Sequence, residues 1–224
     1  MTRVRAFWDS SVGKKTVMAV TGLIGVLFVI GHMVGNLQVF QSAERINAYG
    51  RLLHGPLNEL LWVVRVVLLL SVALHVTAAY QLTLRDRAAR PVDYARHEPQ
   101  VSTLAARTMR WGGVLLLAFI VLHILHFTTG TIRPAGVFVE GDVFTNVVSG
   151  FQVPWVTAFY VVSMIALGLH LYHGTWSSFR SLGAAPASPQ PLRRRVALLI
   201  ALIVSIGFAL VPVAVFAGLV GGAR

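Results

Sequence analysis

An all-α membrane protein of five transmembrane helices is the fold class this sequence predicts, on three observations. Apolar residues make up 56% of the 224 positions and charged residues only 12%, about half the charged fraction usual in a soluble domain. Mean hydropathy is +0.72. The apolar residues gather into runs of about 20, the length a helix needs to cross a bilayer core of about 30 Å.

The five runs predict helices over about 16–37, 60–84, 111–129, 155–178 and 196–220, in a single transmembrane domain covering 1–224. The first follows Lys14 and Lys15. It is longer than the apolar core of a signal peptide, and no small-x-small cleavage site follows it closely, so it is expected to be retained. The second is interrupted only by Arg65, and the third lies between Arg110 and Arg133. The fourth starts near Pro154–Trp155 and stops before Arg180. The fifth follows Arg195 and contains Pro212, which predicts a kink that neighbouring helices can accommodate. The connector from Gly183 to Pro191 is rich in Ala and Pro. It suggests that the fifth helix is peripheral, loosely joined to a core made by the first four.

Lys and Arg orient the spans. Arg3, Arg5, Lys14, Lys15, Arg85, Arg87, Arg90, Arg96, Arg107, Arg110, Arg180, Arg193, Arg194 and Arg195 fall on one side. Only Arg45, Arg51, Arg133 and Arg224 fall on the other. The positive-inside rule then predicts a cytoplasmic N-terminus and an external C-terminus. Topology thus explains the net charge of +11, and nucleic-acid binding is not needed to account for it.

Cysteine is absent, which excludes disulfides, thiolate-held iron–sulfur clusters and covalently attached c-type haem within this chain. Histidine carries the information instead. Of eight, His54 and His97 lie in loops, and His32, His75, His123, His126, His170 and His173 lie inside spans. Ionisable residues in lipid are costly and tend to be functional. A single buried His more often bonds a carbonyl on a neighbouring helix, but six across four helices ask for another account.

Depth sorts them. At 1.5 Å per residue, His32 lies roughly 25 Å beyond Lys15 and His123 roughly 20 Å beyond Arg110, both in the outer half. His75 and His170 each lie roughly 15 Å from the arginine that ends their span on the inner side. Two levels result, each drawing one His from each of two helices, which is what two six-coordinate b-type haems require. His126 and His173 compete for these roles, being three residues on from His123 and His170. Depth favours His170 over His173, while the choice between His123 and His126 stays open. The remaining His of each couple, and Arg65 in the outer half of the second span, are candidates to bond haem propionates or quinone. Snorkelling is the plain alternative for Arg65. Asn36, Gln38, Tyr49, His54 and Glu59 near the outer edge are weaker quinone candidates. Ser11, Lys15, Tyr80, Arg85 and Trp176 are the inner-edge equivalents.

Several segments together resemble a known family. Ser11–Gly22 reads SVGKKTVMAVTG and runs into Gly31-His-Met-Val-Gly-Asn-Leu37. Asn47-Ala-Tyr-Gly-Arg-Leu-Leu-His54 precedes Leu61-Trp-Val-Val-Arg-Val-Val67 and Leu74-His75. Ala89-Arg-Pro-Val-Asp-Tyr94 and His170-Leu-Tyr-His-Gly-Thr-Trp176 follow. These resemble the cytochrome b subunit of bacterial succinate dehydrogenases and fumarate reductases, the five-helix di-haem anchor of complex II. The resemblance covers nearly the whole chain and is most specific in the first, second and fourth helices.

The resemblance implies two haem b groups. His75 and His170 would ligate the inner iron, and His32 and His123 the outer. It implies a non-catalytic electron-transfer subunit of succinate:quinone oxidoreductase in the bacterial cytoplasmic membrane. The partners would be a flavoprotein and an iron–sulfur protein on the cytoplasmic face, and the FAD and iron–sulfur clusters would belong to them. The membrane substrate would be a quinone, commonly menaquinone in this group. Alternatives are a fumarate reductase working in reverse and the di-haem anchor of a formate dehydrogenase or hydrogenase. A transmembrane ferric reductase, a haem-free transporter or proton channel and a purely structural anchor complete the set. No Asp or Glu lies deep in a span, which disfavours the channel.

Overall fold

A computed structural model describes residues 2–89, 103–184 and 191–222. The expectations resting on Arg90–Tyr94, Arg96, His97, Arg224 and most of the 183–191 connector lie outside these residues. The elements are α1 (Arg3–Asp9), α2 (Ser11–Asn36), α3 (Ala43–His54), α4 (Asn58–Ala88), α5 (Leu104–His123), α6 (Val143–Phe151), α7 (Pro154–Ser181) and α8 (Pro191–Phe216). A 3-10 turn, Leu37–Phe40, extends α2, and a π-helical turn, Ile124–Thr128, extends α5. No strand occurs among the described residues. Five of the helices, with these extensions, are long and apolar enough to cross a membrane, so the chain is a multi-pass membrane protein.

The helices outrun the apolar runs at most of their ends. Hydropathy marks where lipid begins, whereas capping marks where the helix begins. Thr103 caps α5 by accepting from the Ala106 N–H at 3.2 Å, so α5 starts at 104 and not 111. Ser10 caps α2 through the Gly13 N–H at 2.8 Å, and a Cβ on Gly13 would collide with the Phe7 carbonyl. Lys14 is buried beside this corner: its Nζ donates to the Trp8 carbonyl and lies 4.7 Å from the Trp8 ring centre. The fifth helix ends earlier than expected, at Phe216, where Gly218 turns the chain with φ 73°. Pro212 lies buried inside α8 and does not end it.

The histidine-bearing helices form a four-sided bundle. Going round it, α4 packs on α2, α2 on α7 and α7 on α5. An ion pair between Arg110 and Asp86, at 3.3 Å, links α5 back to α4 at the end of the bundle that holds the start of α2. That end is named inner after the orientation expected from sequence, and the opposite end outer. Apart from that exposed ion pair, the fourth side, α4 with α5, does not pack extensively, and neither do the diagonals, α4 with α7 and α2 with α5. Along the bundle axis the diagonal helices are therefore connected by side chains and not by close backbone packing.

The fifth span, α8, lies outside this square and carries no histidine, yet it is not loosely attached. It packs along α7 and also meets α2. Ala197, Ala201, Val204, Gly207 and Val211 are buried in that contact. Small residues let helix backbones approach closely, which is the main source of association in lipid. Gly207 receives the Met33 side chain in the space where a Cβ would stand.

The outer end carries structure that hydropathy does not reveal. Helices α3 and α6 are short, and Asn47 joins them: its amide donates to Asp142 Oδ1 and its carbonyl accepts from the Phe144 N–H, both at 2.9 Å. Asn146 pins the preceding loop by exchanging bonds with the Val139 backbone at 2.8 and 2.7 Å.

Candidate functional site

The two levels expected from sequence meet along the bundle axis. The rings of His75 and His170 have centroids 6.1 Å apart, and those of His32 and His123 lie 5.8 Å apart. Each couple spans a diagonal of the square, so the imidazoles connect helices that do not pack extensively on each other. The His75 ring sits against Met18, Thr21 and Gly22 of α2. His32 lies roughly 15–20 Å further along that helix. Tyr160, beside His123, precedes His170 on α7 by roughly 15 Å, which agrees.

The separations suit a metal between each pair. A metal–imidazole bond is about 2 Å and a ring centre lies about 1 Å behind its nitrogen, so two rings facing across one ion have centroids about 6 Å apart. At the inner level the free nitrogen of His75 agrees. Nδ1 of His75 lies 3.0 Å from the Met18 carbonyl, which can only accept, so Nδ1 carries the proton and Nε2 is bare. Thr21 Oγ1 lies 3.2 Å from the same nitrogen while donating to the Val17 carbonyl at 2.7 Å. A hydrogen bond on the nitrogen turned away from a metal is what orients a ligating imidazole. A Cβ on Gly22 would crowd the ring, at 3.3 Å from Cε1. On the α5 side, a cleft of about 310 Å³ between α5 and α7 reaches His170, lined by Thr108, Met109, Trp111 and other mostly apolar residues.

Rings wall the outer level. Phe28 stacks on His32 at 5.2 Å and Phe119 on His123 at 5.6 Å, each one turn back on the same helix. Phe208 of α8 approaches His32 at 5.7 Å. Asn36 Nδ2 is 3.4 Å from both nitrogens of His32 while donating to the His32 carbonyl at 2.7 Å. Such equal distances put the amide over the ring face, where it occupies neither in-plane lone pair. Nδ1 of His123 lies 3.4 Å from the Tyr160 hydroxyl.

The competing histidines are placed differently. His126 is buried, stacked on Phe127 at 3.8 Å, with its Nδ1 3.4 Å from Tyr160. A Cβ on Gly150 would lie 2.7 Å from its Nε2, so α6 closes that side. His126 thus has one nitrogen turned to a hydroxyl and the other close to the α6 backbone, whereas the His123 ring meets that of His32 at 5.8 Å. His173 sits edge-on to Trp176 at 6.1 Å near the inner end of α7. Arg65 is half-buried at the outer end of α4, its Nη2 donating to His54 Nε2 at 3.3 Å and its guanidinium 5.0 Å from the Trp62 ring centre. Sequence reasoning missed Tyr160. A tyrosine in an apolar span was the available signal, and nothing along the chain ties it to residues 123 and 126.

Among groups outside the spans, Asp142 is held below the usual carboxylate range. The Thr145 hydroxyl contributes most, followed by the Thr145 N–H and the Asn47 amide.

No protein-family model matches the chain, and comparison with characterised proteins and with solved structures returned no match either.

Proposed function

We propose that this chain is the cytochrome b membrane anchor of a succinate:quinone oxidoreductase, seated in a bacterial cytoplasmic membrane with its N-terminus in the cytoplasm. The observation that carries the reading is the pair of cross-diagonal imidazole contacts, at 6.1 and 5.8 Å, between helices that do not otherwise pack extensively on each other. His75 with His170 would hold one haem b, and His32 with His123 the other. When bound, these groups supply reversible one-electron chemistry at two depths in the membrane.

The chain's own residues do the rest. The Met18 carbonyl and Thr21 fix the tautomer of His75, and the phenylalanines of the outer level exclude water. Arg85, Arg87, Arg107, Arg110, Arg180 and Arg193–Arg195 stand at the inner ends of four spans. They offer positive charge to an iron–sulfur protein, behind which a flavoprotein oxidises succinate. Arg65, with His54, is the candidate counter-charge for a carboxylate at the outer rim. His173 is its counterpart for a propionate or quinone oxygen at the inner rim. The membrane acceptor is a quinone, menaquinone by the family resemblance.

A dithionite-reduced minus oxidised spectrum of the purified chain, with whatever subunits accompany it, tests this. The expected result is a b-type band with two haems per chain, and succinate-dependent quinone reduction by the complex. No b-type band would remove the reading. Two haems without succinate activity would transfer the chain to another respiratory dehydrogenase.

A further inference from the structure

The Tyr160 hydroxyl stands between two imidazoles. It lies 3.4 Å from Nδ1 of His123 and 3.4 Å from Nδ1 of His126. Its direction is set by packing: the Tyr160 ring is buried and meets Phe151, Phe119 and Phe127 edge-on at 4.9, 5.0 and 5.9 Å. The π-helical turn over Ile124–Thr128 carries His126 to the same hydroxyl.

Proton counting allows this chain two directions. A phenol has one proton to donate and lone pairs to accept. In one direction Nδ1–H of His126 donates to Tyr160, and Tyr160 donates to Nδ1 of His123. That leaves a proton on Nε2 of His123, and the ring can hold no metal toward His32. In the other direction His123 Nδ1–H donates to the Tyr160 oxygen, the Tyr160 O–H donates to Nδ1 of His126, and Nε2 of His123 is bare.

We infer that Tyr160, backed by His126 as its acceptor, is the positioning residue of the outer pair: it holds His123 in the tautomer whose bare Nε2 faces His32. The inference rests on the reading of both pairs as axial ligands, and it assigns His126 a role that leaves His123 as the ligand. It also sets the two levels apart. The inner His75 donates to a main-chain carbonyl at 3.0 Å, whereas in this arrangement the outer His123 donates to a phenol whose oxygen lies 3.4 Å away. Hydrogen bonding at the far nitrogen strengthens an imidazole as a donor to metal.

The experiment is a redox titration with low-spin EPR on the intact complex, comparing wild type with Tyr160→Phe, His126→Leu and His126→Gln. The outer centre is identified as the one missing in His32→Ala. In Tyr160→Phe the outer midpoint should move upward and its EPR signal shift, with the inner centre unmoved. His126→Leu should shift it less and in the same direction, because the hydroxyl stays but loses the acceptor that polarises it. His126→Gln, whose amide oxygen can accept, should return it toward wild type. Unchanged midpoints in Tyr160→Phe, or a shift confined to the inner centre, would overturn the inference. Should Tyr160→Phe fail to assemble, the His126 pair decides: equal behaviour of Leu and Gln rejects it. Wild-type protein with no b-type band would overturn both this inference and the reading beneath it, whereas two normal centres indifferent to these substitutions would overturn this inference alone.

Discussion

The inner and outer imidazole pairs draw on the same four helices but are held by different means. At the inner level His75 is fixed by the main-chain carbonyl of Met18, and the positions one turn before the two histidines are small, Ser71 and Ala166. At the outer level the corresponding positions are Phe28 and Phe119, and the polar partner is the side chain of Tyr160. A backbone anchor survives substitution, because a carbonyl is present whatever residue carries it. A side-chain cage does not. The outer level should therefore be the more sensitive to mutation of its surroundings.

The largest effect would break the comparison outright. His75→Ala and His170→Ala are each expected to remove the same half of the b-type absorbance, and His32→Ala and His123→Ala the other half. Loss of a common centre in His32→Ala and His75→Ala would mean that the levels are wrongly paired. Next in size is Gly150→Ala. The added Cβ would press on His126 at 2.7 Å, and the ring cannot retreat because it is stacked on Phe127. A cost of about 1–3 kcal/mol is expected, seen as a lower thermal midpoint with the outer centre lost before the inner.

Smaller effects sharpen the contrast. Asp142→Ala removes the cap of α6 and its link to Asn47, at about 1 kcal/mol. Its carboxyl is held below its ordinary value, so the stability it adds is full above about pH 4 and fades as pH falls through the lowered folded value. Thermal unfolding followed into acid should show that limb in wild type and not in Asp142→Ala. Least of all is Thr21→Val, expected to cost about 1 kcal/mol or less with the inner centre's spectrum unchanged, since Met18 still holds His75. A clear spectral shift there would show that the inner level also depends on a side chain.

Sequence by itself determined the spans, because a bilayer imposes a length and a hydropathy that Ser11–Phe40 or Asn58–Ala88 must satisfy whatever they pack against. It also determined the two depths, since helix rise converts residue number into height and His32, His75, His123 and His170 each lie a countable distance from a charged end. Only tertiary structure decided which way each helix turns. Spans that meet lipid on one face and protein on the other are apolar on both, so no periodicity reports their rotation. That is why the sequence leaves open whether His123 or His126 turns toward His32, and why Tyr160 went unnoticed. It is also why α8 was expected to hang loosely when Ala197, Ala201 and Gly207 seat it closely on its neighbours. The short outer helices α3 and α6 were missed for a related reason: side-chain bonds from Asn47 and Asp142, distant in sequence, hold them together, and hydropathy does not register such bonds.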